Sequence, residues 1–116
     1  MRTLLIKCTA GADEPERCNQ AFTVAASAVA LGARVSLWLT GEAAWLGTGR
    51  DFELPLATPL ADLRDTILAG GEIVVCSQCA ARREISEADL LDGITIAGAA
   101  RFAEAALADG VQALVY

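Results

Sequence analysis

A chain of 116 residues, 54% hydrophobic and 21% charged, is too apolar for disorder and long enough to bury one core. Its net charge of −6 argues against nucleic acid, whose binding rests on clustered Lys and Arg. No apolar run approaches the roughly 18 residues of a membrane span, and the start from Met1 to Lys7 is too short and too charged at both ends for a signal peptide.

One domain over residues 1–116 is therefore expected, in a cytoplasmic setting. The four cysteines are then reduced thiols rather than a disulfide framework. Leu4-Leu5-Ile6, flanked by Thr3 and Lys7, predicts a first strand ending at Cys8. Its continuous apolar run suits a parallel strand buried on both faces. After a loop from Thr9 to Ala12, Asp13 opens a helix. Asp13 and Glu16 have capping-box spacing, and Pro15 sits in the first turn. Phe22, Ala25, Ala26 and Val29 recur at helical spacing, and Gly32 is the stop.

Val35 to Leu39 predicts a second strand, followed by a turn at Thr40-Gly41-Glu42. Ala43 to Leu46 reads as a single helical turn, and Gly47 to Pro55 as an exposed loop. Thr58 and Pro59 start the next helix, with Leu60, Leu63, Ile67 and Leu68 as its apolar face and Gly70-Gly71 as its end. Glu72 to Val75 is the third strand. Ser86, with Asp89 three residues on, caps a short helix through Leu91. Asp92-Gly93 turns the chain into a fourth strand, Ile94 to Ala97. A last helix from Ala99 to Ala108 stops at Gly110, and Gln112 to Val115 is the fifth strand. Alternating strands and helices predict a parallel sheet with helices on both faces. In such sheets the chemistry gathers at the carboxyl ends of the strands, and Cys8, Thr40 and Cys76 share that edge. Whether Cys8 lies beside Cys76 depends on strand order.

The stretch Ile73-Val74-Val75-Cys76-Ser77-Gln78-Cys79-Ala80-Ala81-Arg82-Arg83 carries the chemistry. A buried strand ends in a cysteine, turns sharply and enters a short helix near Cys79. Backbone N–H groups and the helix dipole favour thiolate at Cys76, and the thiolate is the nucleophile. Cys76 is the candidate reactive residue, although cysteines at strand ends are often small core hydrophobes. Cys18 on a helix face, Trp38 in the sheet and a solvated Glu42 have structural roles. Trp45 is open between packing, lining the cysteine site and a subunit contact. Arg82 and Arg83 lie nearly two helical turns past Cys76, so two solvated arginines are expected.

Three segments in order resemble the DsrE/DsrF-like family, which includes the TusD-type subunits of sulfur relay systems. They are Asp13 to Arg17 opening an Ala-rich helix, Leu31 to Glu42, and Val75 to Ile85. The resemblance covers nearly the whole chain. It implies a three-layer α/β/α domain with a five-stranded parallel sheet in the order 4-3-2-1-5. It also implies homo-oligomers, either trimers or hexamers, and a cysteine that carries sulfur as a persulfide. The family's sulfur-bearing cysteine matches Cys76, and Cys79 falls where some members have a second cysteine, a possible resolving thiol. Glu84 is a departure, since the family often has glycine there.

The function expected is a sulfur carrier or sulfurtransferase, with donor and acceptor proteins that bear reactive cysteines. This chemistry needs no metal, organic cofactor or histidine base. A thiol–disulfide redox pair of Cys76 and Cys79 is the rival reading, and a non-enzymatic oligomeric interaction protein is another. A structural zinc site is disfavoured, because Cys8 and Cys18 are not spaced as a second pair and the chain has no histidine.

Overall fold

The five apolar runs become five parallel strands in a computed structural model that describes residues 2–116; Met1 lies outside them. They are β1 (Thr3–Cys8), β2 (Arg34–Leu39), β3 (Gly71–Cys76), β4 (Ile94–Ala97) and β5 (Val111–Val115). All pair in parallel, in the order β4-β3-β2-β1-β5 that was expected. β2 is central. Its residues from Val35 to Leu39 are all buried, as a strand covered on both faces requires. β5 is an edge strand, and beyond half-buried Val111 its residues are exposed.

Side-chain alternation splits the strands between two cores. On one face Ile6, Leu37, Leu39, Ile73 and Val75 pack against α1 (Pro15–Ala30) and α2 (Leu60–Gly70) through Phe22, Ala25, Leu63 and Ile67. Each fully buried Leu, Ile or Phe stabilises the fold by roughly 1.5–3 kcal/mol. The other face has a smaller core of Leu5, Trp38 and Val74, covered by Phe102, Ala105 and Ala106 of α4 (Ala99–Leu107). The Trp38 and Phe102 rings meet edge to face, with centroids 5.3 Å apart. The Trp38 Nε1–H donates to Ser36 Oγ at 3.1 Å, and the Ser36 hydroxyl donates to Glu72 at 2.6 Å. A buried polar pair is thereby satisfied within the sheet. No helix among the described residues is long and apolar enough to cross a membrane.

Several local expectations shift. The Asp13–Glu16 box does not form. The Asp13 carboxylate accepts the Gly11 N–H at 2.8 Å instead, Glu14 becomes the N-cap, and the helix begins at Pro15. Pro59 is likewise the N-cap of α2 rather than its first residue. The single turn at Ala43 to Leu46 is part of a longer 3-10 segment, Gly41–Thr48, that buries Ala43, Ala44, Leu46 and Gly47. Gly47 is therefore not in an exposed loop: a Cβ there would lie 2.6 Å from Val75 Cγ2. In the irregular stretch that follows, Asp51 forms a bidentate pair with Arg64 at 2.8 and 2.9 Å. Arg64 is nearly buried on α2 and also donates to the Leu46 carbonyl at 3.2 Å. It ties the irregular stretch to the core. The capping contact of Ser86 and Asp89 holds, closing a 3-10 turn at Glu87–Asp89: the Asp89 carboxylate takes both the Ser86 N–H at 2.9 Å and its hydroxyl at 3.0 Å.

Two helices end in one way with different residues. After α1, the Gly32 N–H reaches the Val29 carbonyl and the Ala33 N–H reaches that of Ala28, with Gly32 at φ +91°. After α3 (Ser77–Arg82), the Glu84 N–H reaches the Ala81 carbonyl and the Ile85 N–H that of Ala80. Glu84 stands at φ +55°, so a left-handed turn that glycine favours is made here by a residue with a Cβ. A left-handed non-glycine residue costs about 1–2 kcal/mol. Ile85 is buried just beyond, which holds the turn in place. Glu84→Gly is expected to stabilise the protein by about 1 kcal/mol, the strain relieved less the added chain entropy. Thermal unfolding followed by circular dichroism checks this, and a lower midpoint would contradict it.

Candidate functional site

The site is built where β2 and β3 leave the sheet. Leu39 pairs with Val75, so β2 runs on into Thr40 and Gly41 beside the end of β3. Cys76 is the last residue of β3, paired with Ala97 of β4, and it is also the N-cap of α3. The helix starts at Ser77, two residues before the expected position near Cys79. That shift changes the roles of the two thiols. Cys76 stands at the cap position and Cys79 one turn into the helix, so both sulfurs lie at one end of α3. Both are half-buried, whereas Cys8 and Cys18 are fully buried.

Cys76 makes no capping hydrogen bond as a thiol, but its thiolate is well placed. Partial burial raises its pKa. The backbone N–H groups of Cys79 and Gln78, the Cys79 side chain and the Lys7 ammonium together outweigh that, and the thiol titrates below its ordinary range. Cys79 has a different partner. Its Sγ accepts the Gly41 N–H at 3.2 Å. Gly41 is at φ +55°, and a Cβ there would lie 2.9 Å from the Thr9 carbonyl oxygen. Glycine is what lets the β2 turn bring this donor to the sulfur.

A clamp holds the two sides together. Arg83 Nε donates to the Glu42 carboxylate at 2.9 Å, and Arg83 Nη1 donates to the Cys79 carbonyl at 3.2 Å. Arg83 and Glu42 are thus not two solvated side chains, as was expected, whereas Arg82 is exposed. An ion pair this open adds about 0–1 kcal/mol, so its use here is geometric. It joins the 3-10 segment, which supplies the Gly41 N–H, to α3, which carries Cys79. Trp45 packs on the larger core with the Arg50 guanidinium 4.1 Å above its ring.

Cys8 ends β1 on the same edge, but β2 intervenes between it and Cys76. Cys8 Sγ donates to the Ala10 carbonyl at 3.2 Å and neighbours Cys18 in the larger core. The hydrogen bond to Cys8, followed by burial, pushes the Cys18 thiol far up and keeps it protonated. Among the described residues no three His, Cys, Asp or Glu side chains gather where a metal ion would be held. Glu42, Arg83 and Gly41 carry no motif of their own in sequence. The one available signal was the Gly-acidic turn after β2, which marked the place without its partners.

Comparison with known proteins comes to bear on this arrangement. The DsrE/DsrF-like family matches residues 2–115. No curated protein matches the chain. Among solved structures, the YchN protein of E. coli is 18% identical, with a TM-score of 0.84 over 100% of both chains. MTH1491 of Methanobacterium thermoautotrophicum, described as of unknown function, is 11% identical, with a TM-score of 0.78 over 100% of both chains. BT1422 of Bacteroides thetaiotaomicron, also of unknown function, is 18% identical, with a TM-score of 0.64 over 99% of this chain and 95% of its own. These identities speak to the fold.

The lowered Cys76 pKa sets a pH dependence. Alkylation follows the thiolate, so Cys76 should react with iodoacetamide with a pH midpoint below that of a free cysteine, measured by peptide mass spectrometry. Cys8 and Cys18 should stay unmodified until the protein unfolds. A Cys76 midpoint at or above the ordinary thiol range would contradict the site's electrostatics.

Proposed function

We propose that this chain, which belongs to the DsrE/DsrF-like family, carries sulfane sulfur on Cys76 as a persulfide and hands it to a partner thiol. The family is linked to sulfur relay. The observation that carries the reading is the setting of Cys76: a half-buried thiol at a strand end, faced by the N–H groups of Cys79 and Gln78, titrating below its ordinary range. A sulfur carrier needs a nucleophile that is anionic near neutral pH and open to another protein's cysteine.

The exchange balances without an outside oxidant. The Cys76 thiolate attacks the outer sulfur of a donor persulfide, the donor's S–S bond breaks, and the donor leaves as a thiolate. Cys76 then bears the added sulfur. An acceptor thiolate attacks that terminal sulfur, forms the acceptor persulfide and returns Cys76 as thiolate. Donor and acceptor are proteins with reactive cysteines, in a compartment that keeps thiols reduced, such as the cytoplasm. Cys79 acts as the resolving thiol when no acceptor arrives. Its attack on the inner sulfur forms a Cys76–Cys79 disulfide and expels hydrosulfide.

The same two thiols support a second reading, a dithiol–disulfide redox protein. The Cys79 side chain lies within one helical turn of Cys76 and helps to lower its pKa, which favours this reading. One experiment separates the two. The purified protein is incubated with polysulfide, and the Cys76 peptide is examined for a gain of one sulfur. Cys79→Ser should still load, and hold its sulfur longer than the wild type, while Cys76→Ser should not load. If Cys76 gains no sulfur, yet the pair cycles reversibly against glutathione, the redox reading replaces the carrier.

Homo-oligomers, trimers or hexamers, belong to the same reading. Leu107 of α4 is 84% exposed and Val115 of β5 is 67% exposed, and Leu114 adds to this apolar edge. A paired partner would remove both the apolar side chains and the open strand edge from water. Light scattering at micromolar concentration should give a multiple of the 12.0 kDa chain mass. A monomer mass throughout would exclude the assembly.

A further inference from the structure

Lys7 is the unexplained charge of the sheet. It lies near the carboxyl end of β1, between buried Ile6 and buried Cys8, and it is itself half-buried. Strand alternation turns it to the α4 face, with Leu5, Trp38 and Val74. Its Nζ sits 4.4 Å from the centroid of the Phe102 ring. Phe102 in turn rests edge-on against Trp38 of β2. The ammonium is thus carried over the row in which Lys7 pairs with Trp38 and Trp38 with Val74. Cys76 is the next residue along β3 on that face.

The other charged groups nearby are engaged or turned away. On β3 and α4, Glu72 is held by Ser36 and Arg101 at the opposite end of the strand. Glu104 of α4 is exposed, as is Arg82 of α3. In the 3-10 segment, Glu42 is paired with Arg83. β4 offers no ionisable side chain, and Tyr116 follows the end of β5. Cys79 on α3 is the other thiol. Among the described residues no carboxylate pairs with Lys7 within 4.0 Å. With no carboxylate beside it, the ammonium is held by the aromatic face, an attraction of about 0.5–2 kcal/mol.

We propose that Lys7 is a positioning residue for the chemistry at Cys76: its ammonium, held over Phe102 on the sheet face that Cys76 shares, adds a positive charge to the backbone N–H groups that favour the Cys76 thiolate. The lowered titration of Cys76 agrees with this, since Lys7 contributes to it. On the persulfide-carrier reading, on which this use of the anion rests, the same charge serves the loaded state. A persulfide anion extends one atom beyond Sγ and stays within reach of a long-range cation.

The test reads Cys76 directly and needs no sulfur transfer. Iodoacetamide alkylation of Cys76 is followed against pH in the full chain, with fragment-ion assignment to separate it from Cys79. Lys7→Met should raise the midpoint by roughly a few tenths of a pH unit, because removing a cation favours the thiol. Lys7→Arg should keep the midpoint near that of the wild type. Phe102→Leu should raise it in part, by releasing the ammonium. Raised ionic strength should lift the wild-type midpoint more than that of Lys7→Met, which provides a second reading on an unmutated chain. An unchanged midpoint in Lys7→Met with intact circular dichroism overturns the proposal, and so does an equal response to salt in both proteins. If the midpoint moves but polysulfide never loads Cys76, the carrier reading fails and the role of Lys7 stands. If sulfur loads and the midpoint is unmoved, the reverse holds.

Discussion

The parallel pairing of β2 with both β1 and β3 is the constraint on which the remaining geometry depends. It aligns the carboxyl ends of three strands, so that whatever follows each strand meets at one edge. Gly41 then stands beside α3 because Leu39 is paired with Val75. A slip of one residue would turn Trp38 away from α4 and Leu37 away from α1, exchanging the two cores. The buried volume of those side chains fixes the register, and the register fixes the distance between two turns far apart in the chain.

Within that frame the thiols are set by backbone more than by side chains. Gln78 and Cys79 offer N–H groups toward Cys76, and Gly41 offers one to Cys79. Such donors are rigid and always present, so they stabilise an anion without reorganising. The side-chain contribution is a frame around them. Arg83 ties Glu42 to the Cys79 carbonyl, and Lys7 stands over Phe102 on the sheet face that Cys76 shares.

The two faces of the sheet differ in a way that suits this division. α1 and α2 bury the larger core and take Cys8 and Cys18 into it, away from reagents. α4 covers the other face alone, buries no residue completely, and leaves β5 open beyond Val111. Cys8 and Cys18 lie under the heavy layer, and Cys76 and Cys79 open at the edge.

The sequence alone carried the strand and helix order, because apolar runs, prolines and glycines act over a few residues. Cys76 was legible too, as the abrupt end of an apolar strand before an Ala-rich helix. Resemblance to a family, rather than periodicity, supplied the order of strands. What stayed hidden was set by distance along the chain. Glu42 and Arg83 are 41 positions apart, and Gly41 and Cys79 are 38. Asp13 showed a capping pattern, yet a closer N–H at Gly11 took its carboxylate. The start of α3 moved to Ser77 because β3 delivers Cys76 straight into a cap conformation. Lys7 read as the polar flank of a strand, and only the packing of Phe102 on Trp38 gave its ammonium a place. Local chemistry chose the elements, and the packing of β2 between its neighbours decided which groups face the sulfur.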